Sequence, residues 1–190
     1  MDRRELMDKA IGIYRTHGPK EEFTVVGVLS THLEAEKAVK RLQLSGIDLK
    51  KCSIVGKENT TGEAVVGYYF AGDRIEYWGK MGAFWGGLWG LLGGSAYFLI
   101  PGIGPVLVGG TLVSAIVGAL EGAAVVGGLS ALGAGFYNIG IPAESIVDYE
   151  AAVKGDKFIV IVHGNTQEVE KAKEVLEATT KSLQHLSEGE

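Results

Sequence analysis

The chain has 190 residues, a net charge of -5 from 18 basic and 23 acidic side chains, and a hydrophobic share of 46%. This balance supplies no large positive field that would collect phosphates, so we expect no nucleic-acid partner. Cys52 is the only cysteine, which excludes an intramolecular disulfide and any cysteine cluster for zinc or an iron-sulfur centre.

The first 22 residues are predicted to form an N-terminal helical arm. Apolar residues recur at helical spacing from 2 to 16, and a Gly-Pro pair at 18–19 stops the pattern. The charged start contains no apolar stretch of signal-peptide length, so we expect no export by a cleaved signal.

Two charged flanks, residues 23–78 and 140–183, are predicted to build one discontinuous α/β domain, with residues 184–190 as a polar tail. Short runs rich in β-branched residues predict buried strands, and charged stretches with apolar residues at helical spacing predict helices. In chain order these are a strand at 23–29, a helix ending at Leu44, strands at 52–57 and 64–70, a helix over 142–153, a strand at 158–162 and a helix over 166–180.

The two flanks echo each other in sequence. FTVVGVLST leads into EAEKAVKRL, and FIVIVHGNT leads into EVEKAKEVL, with the helical portions offset by one residue. Such strand-then-helix halves predict an α+β fold with a ferredoxin-like split βαβ sheet and helices on one face.

The apolar middle, residues 79–139, is predicted to be an inserted glycine-rich helical hairpin. Between Lys80 and Glu144 the only formal charge is Glu121, and the same stretch holds 17 of the 29 glycines. A helix over the 22 residues from 79 to 100 would span about 33 Å, close to the hydrocarbon thickness of a bilayer.

The PGIGP sequence at 101–105 predicts the turn of this hairpin, and the second arm runs from 106 to 137. That arm is too long for one straight helix opposite the first, so we expect a break near 121–122 or 127–128.

Two stripes of small residues are predicted to pack the arms together. Glycine costs about 1 kcal/mol relative to alanine inside a helix, and close packing must compensate for that cost. The candidate helix-packing residues are Gly82, Gly86, Gly90 and Gly94 on the first arm, and Gly110, Ser114, Gly118 and Gly122 on the second. Glu121 is a candidate buried acid, for which a capping role at a helix junction is favoured over proton or cation contact.

The chain resembles a group of bacterial glycine-rich membrane-associated proteins of unknown function, related to heat-induced general stress proteins. The resemblance covers roughly residues 23–180 and rests on THLEAEKAVKRL, IDLKKCSIVGKE, the glycine-rich middle and GIPAESIVDYEAAVKGDKFIVIVHG. It implies a membrane localisation and a stress setting, and it carries over no catalytic residue.

The sequence favours a non-enzymatic, self-associating membrane protein whose partners are a lipid bilayer and further copies of itself. Arg74 lies before the first arm and Lys80 at its start, while the turn is uncharged, which predicts that both termini lie in the cytoplasm. The alternative is a soluble cytoplasmic homo-oligomer that binds a small ligand and buries the hairpins in a shared apolar core.

A channel or carrier is the third hypothesis, and it needs a polar pathway. The side chains that could line one are Glu121, Thr111, Ser114, Ser130 and Asn138. The four histidines show no metal-binding spacing and are expected to be surface or structural residues, so neither a metal nor a cofactor is predicted.

Overall fold

The computed structural model describes residues 11–16, 22–57, 95–121 and 130–187. These residues form an α+β fold with a six-stranded antiparallel sheet and five α-helices. The elements are β1 (Ile11–Arg15), β2 (Phe23–Leu29), α1 (His32–Leu44), β3 (Cys52–Lys57), β4 (Ser95–Ile100), β5 (Gly104–Gly110), α2 (Thr111–Glu121), α3 (Ala131–Asn138), α4 (Ala143–Lys154), β6 (Phe158–Gly164) and α5 (Thr166–Ser187). The strand order is β1-β2-β6-β3-β5-β4.

The central strands are buried on both faces of the sheet. α1 and α5 cover one face, where Val25 and Val160 point, and α2, α3 and α4 cover the other, where Val26 and Ile161 point. The prediction of helices on one face only is therefore wrong. Helices cover both faces because β2 and β6 are apolar at successive positions, so both sides of each strand need a covering layer.

The two strand-then-helix halves expected from the sequence are present and adjacent. β2 pairs with β6 along its whole length, and α1 packs against α5. In both halves a glutamate closes the first helical turn: the Glu34 N–H donates to Thr31 Oγ1, and the Glu168 N–H donates to Asn165 Oδ1. Each glutamate side chain also accepts a backbone N–H just before its helix.

The predicted N-terminal helix is wrong where the structure describes it. Ile11–Arg15 forms β1, which pairs antiparallel with β2. Isoleucines two residues apart fit a strand as well as a helix, and Gly12 between them weakens a helix by about 1 kcal/mol. Backbone pairing with β2 decides the outcome, and residues 1–10 lie outside the described part.

The predicted helical hairpin is a β-hairpin over residues 95–110. β4 and β5 pair antiparallel around the PGIGP turn, and β5 also pairs with β3. The SAYFLI strand alternates exposed and partly buried side chains, which is the period of a strand. The rest of the first arm and the predicted strand 64–70 lie outside the described residues, and the strand that lies beside β3 on this side is β5.

The second arm is a strand as far as Gly110 and becomes helical only at Thr111. α2 is described up to Glu121, and residues 122–129, which hold the expected breaks, lie outside the described part. The helical prediction is therefore correct over α2 and α3 and wrong over β5.

The membrane and transmembrane-helix assignments are overturned. No helix among the described residues is long and apolar enough to cross a membrane. About 20 apolar helical residues are needed for a crossing. Where it is described, the apolar sequence after residue 94 contains two strands, the 11-residue α2 and the 8-residue α3.

Candidate association surface and buried polar network

A serine on β3 holds the first turn of α2. Ser53 Oγ accepts a hydrogen bond from the Leu112 N–H at 3.1 Å and lies 3.0 Å from Thr111 Oγ1. Leu112 and Ile116 are then fully buried against the sheet and the neighbouring helices. This anchoring determines which side of α2 points outward.

The inner side of α2 packs against α3 through a glycine, Gly135, that does not belong to the predicted stripes. A Cβ on Gly135 would overlap the Ile116 side chain, so the two helices approach closely at this point. Asn138 Nδ2 also donates to the Ala115 carbonyl at 3.1 Å. The buried neighbours of Gly135 on α3, Leu132 and Phe136, were the signal that could have identified its inward position.

The outer side of α2 is exposed, uncharged and partly apolar. It carries Ser114, Val117, Gly118 and Leu120, which we call the α2 outer face. Val117 is 38% exposed and Leu120 is 57% exposed. No heavy atom of the described residues lies within 4 Å of the place that a Cβ on Gly118 would take. Of the predicted packing stripe, Ser114 and Gly118 therefore point outward.

Among the described residues, the other predicted packing positions add no further member to this face. Gly110 ends β5 and turns the chain into α2, with a φ of 86°. Gly82, Gly86, Gly90, Gly94 and Gly122 lie outside the described residues, as does the side chain of Glu121. Their packing role, and the role of Glu121, stay predictions.

The polar residues suggested for a channel hold structural contacts. Thr111 bonds to Ser53, and Asn138 bonds to the backbone of α2. Ser130 bonds to the Glu150 carboxylate, and its hydroxyl oxygen accepts the Gly133 N–H at the start of α3. These bonds fix helix ends to neighbouring elements, and they account for the three residues without a shared pathway.

A second exposed apolar surface lies on β4. Leu99 is 81% exposed, and Tyr97, the cross-strand partner of Leu107, is 60% exposed. Phe98, between them, points the other way and packs with the α2 side of the sheet. We call Tyr97 and Leu99 the β4 patch. It is the alternative to the α2 outer face as a surface for association.

A buried polar network joins the sheet to the turn between α3 and α4. The Thr24 hydroxyl donates to the Ile139 carbonyl at 3.1 Å and lies 3.0 Å from His163 Nδ1. Tyr14 on β1 and Tyr149 on α4 share a hydroxyl-hydroxyl bond of 2.8 Å. His163 Nε2 is buried and has no hydrogen-bond partner within the described part of the chain.

Burial keeps three titratable side chains, on the two faces of the sheet, neutral at pH 7. It lowers the pKa of His163 to about 4, against a smaller opposing effect of Glu22, and it raises the pKa of Tyr149. It also raises the pKa of the Cys52 thiol to about 12, so this cysteine carries no thiolate nucleophile at neutral pH. The described residues contain no group of three or more His, Cys, Asp or Glu side chains that could hold a metal ion.

Comparisons with known proteins give no further information on this site. Comparisons with protein families, curated proteins and solved structures find no match for the chain. The stress setting implied by the sequence resemblance stays a prediction. The functional argument therefore rests on the α2 outer face, the β4 patch and the buried network.

Proposed function

We propose that this protein is a non-enzymatic module that associates with further copies of itself through the α2 outer face. The observation that carries the proposal is the exposure of Val117 and Leu120 beside Gly118, whose Cβ position has no heavy atom of the described residues within 4 Å. The sequence has no charged residue from Thr111 to Leu120. Self-association is also the element common to the two leading functions that the sequence favours.

The physical basis is the contrast between α2 and an ordinary surface helix. A helix at the surface of a globular protein normally turns a charged or polar face to water. Covering Val117 and Leu120 with a partner removes apolar area from water, at about 25 cal/mol per Å². Ser114 and Gly118 have little or no side chain, so a second helix can approach the α2 backbone closely.

We also propose that the sheet is built from two interleaved strand-helix-strand units. The strand order supports this, because β6 lies between β2 and β3 while β3 lies between β5 and β6. Helices on both faces distinguish this arrangement from a ferredoxin-like sheet, which carries them on one face.

Charge placed on the α2 outer face is expected to weaken self-association. Leu120→Glu would bury an unpaired carboxylate between partners, which should raise the dissociation constant roughly tenfold or more. Sedimentation velocity of the purified full chain, run as a concentration series, measures that constant. Val147→Glu is the matched control, because Val147 is 62% exposed on α4 and lies outside the proposed surface.

Gly118→Leu separates association from folding. Leucine favours a helix over glycine by roughly 0.8 kcal/mol, so the monomer should become slightly more stable while the added side chain blocks the close approach. Wild-type association of both Gly118→Leu and Leu120→Glu would overturn the proposal. A loss confined to Leu99→Glu would instead assign association to the β4 patch.

A further inference from the structure

The hydrogen bonds around Thr24 determine which nitrogen of His163 carries the proton. The Ile139 carbonyl only accepts, so the Thr24 hydroxyl must use its single hydrogen for that bond. Thr24 Oγ1 can then only accept from His163, which places a proton on Nδ1 and leaves a lone pair on Nε2. Nε2 is the buried atom that has no partner among the described residues.

The turn between α3 and α4, residues 139–142, is held at Ile139 by the hydrogen bond from Thr24. At Gly140 it is held by close contact with the backbone of β1. Thr24 binds the Ile139 carbonyl across 115 positions of sequence. A Cβ on Gly140 would lie 2.6 Å from the Arg15 carbonyl oxygen, so the turn lies directly against the end of β1. The turn therefore depends on the strands that carry the neutral histidine.

We propose that His163 is an acid-sensitive latch, in which protonation of Nε2 favours release of the 139–142 turn from the sheet. A second ring proton would create a cation with a buried N–H that has no acceptor in the described surroundings. In this proposal, opening the turn releases the Ile139 carbonyl from Thr24 and lets water reach Nε2, which removes that cost.

The groups around the latch set the direction of its pH response. Glu22, just before β2, favours the cation, while burial disfavours it more strongly. Tyr14 from β1 and Tyr149 from α4 lie on the same side of the sheet and are bonded to each other. Burial and the bond to Tyr14 raise the pKa of Tyr149, so this tyrosine stays neutral through the acidic range.

The direction of the pH dependence follows because the pKa of His163 is lower when the turn is closed than when it is open. An exposed histidine titrates near 6.5, and the closed form titrates at about 4. The open form thus binds more protons between these values. The closed form therefore has its full stability above pH 6.5 and loses stability as the pH falls toward 4. The equilibrium constant for opening the turn rises roughly 100-fold between pH 7 and pH 4.

Two NMR measurements on the full chain test the latch. A long-range proton-nitrogen spectrum of the histidine rings should show His163 protonated on Nδ1 at pH 7 and titrating well below pH 6. Amide hydrogen exchange, corrected for its intrinsic pH dependence, should show the opening equilibrium at Gly140 and Ile141 rising roughly 100-fold from pH 7 to pH 4. Amides of α1, on the opposite face, serve as the internal reference.

His163→Asn is the matched variant, because asparagine keeps an N–H near the Nδ1 position and cannot titrate. It should abolish the pH-dependent part of the opening. An Nε2-protonated ring at pH 7, or an equal acid response in His163→Asn, would overturn the proposal. The wild-type titration decides the matter alone if the variant does not fold. The latch uses no residue of the α2 outer face, so either proposal can fail without the other.

Discussion

Replacing Gly110 with alanine is expected to lower the free energy of unfolding by more than about 3 kcal/mol. Gly110 has a φ of 86°, a conformation that L side chains rarely adopt. An added Cβ would also press against the Cys52 carbonyl oxygen and lie 2.9 Å from the Ser53 Cα. Both atoms belong to β3, which pairs with β5 on one side and β6 on the other, so the backbone has little freedom to move away.

Urea unfolding followed by circular dichroism measures the loss, and Gly118→Ala is its matched control. Alanine adds the same methyl group at Gly118, in the helix that follows Gly110, but there no heavy atom of the described residues lies within 4 Å of it and the backbone is helical. Alanine there should stabilise the chain by up to about 1 kcal/mol. If Gly110→Ala kept wild-type stability, the tight strand-to-helix turn between β5 and α2 would be incorrect.

Gly140→Ala is expected to cost about 3 kcal/mol, for the same two reasons at a different junction. Its φ is 95°, and an added Cβ would lie 2.6 Å from the Arg15 carbonyl oxygen and 2.7 Å from the Thr16 Cα. The change would push the α3–α4 turn off the end of β1. Thermal or urea unfolding reports the loss.

Gly102→Ala separates the conformational cost from the steric cost. Gly102 also has a positive φ, 81°, but no described heavy atom lies within 4 Å of its missing Cβ. Its replacement should therefore cost only about 1 kcal/mol, the penalty of the left-handed conformation alone. Equal losses at the two positions would contradict the contact between the turn and β1.

The described elements of the two flanks could be predicted because their signals are local. The apolar run at Phe23–Leu29 and the segment Cys52–Lys57 are strands with the predicted bounds. The helix after β2 ends at Leu44, as its apolar spacing and the following Ser-Gly pair indicate. Capping residues, burial patterns and turn residues all lie within a few positions of these elements, so the sequence alone identifies them.

The apolar middle could not be predicted in the same way. An uncharged run such as SAYFLIPGIGPVLVGG is compatible with two helices or two strands, because periodicity does not separate buried strands from buried helices. Pairing of β5 with β3 decides between them, as in the Ile54–Gly109 pair. That contact joins residues far apart in sequence, and glycine spacing suggested helices in its place.

The candidate sites show the same division. Spacing identified Ser114 and Gly118 as members of one stripe, but only the anchoring of α2 on Ser53 shows that these two residues point outward. His163 was expected to be a surface or structural residue. Its role depends on Thr24 and on the Ile139 carbonyl, which the fold brings together from distant parts of the chain.

The mass of the full chain in solution, measured by sedimentation velocity over a wide range of concentration, tests the central claim most directly. A single chain has a mass of 20.1 kDa. Self-association predicts that the mass rises with concentration to at least twice this value, and that Leu120→Glu shifts the rise to higher concentration. A mass of one chain at every concentration would contradict the account.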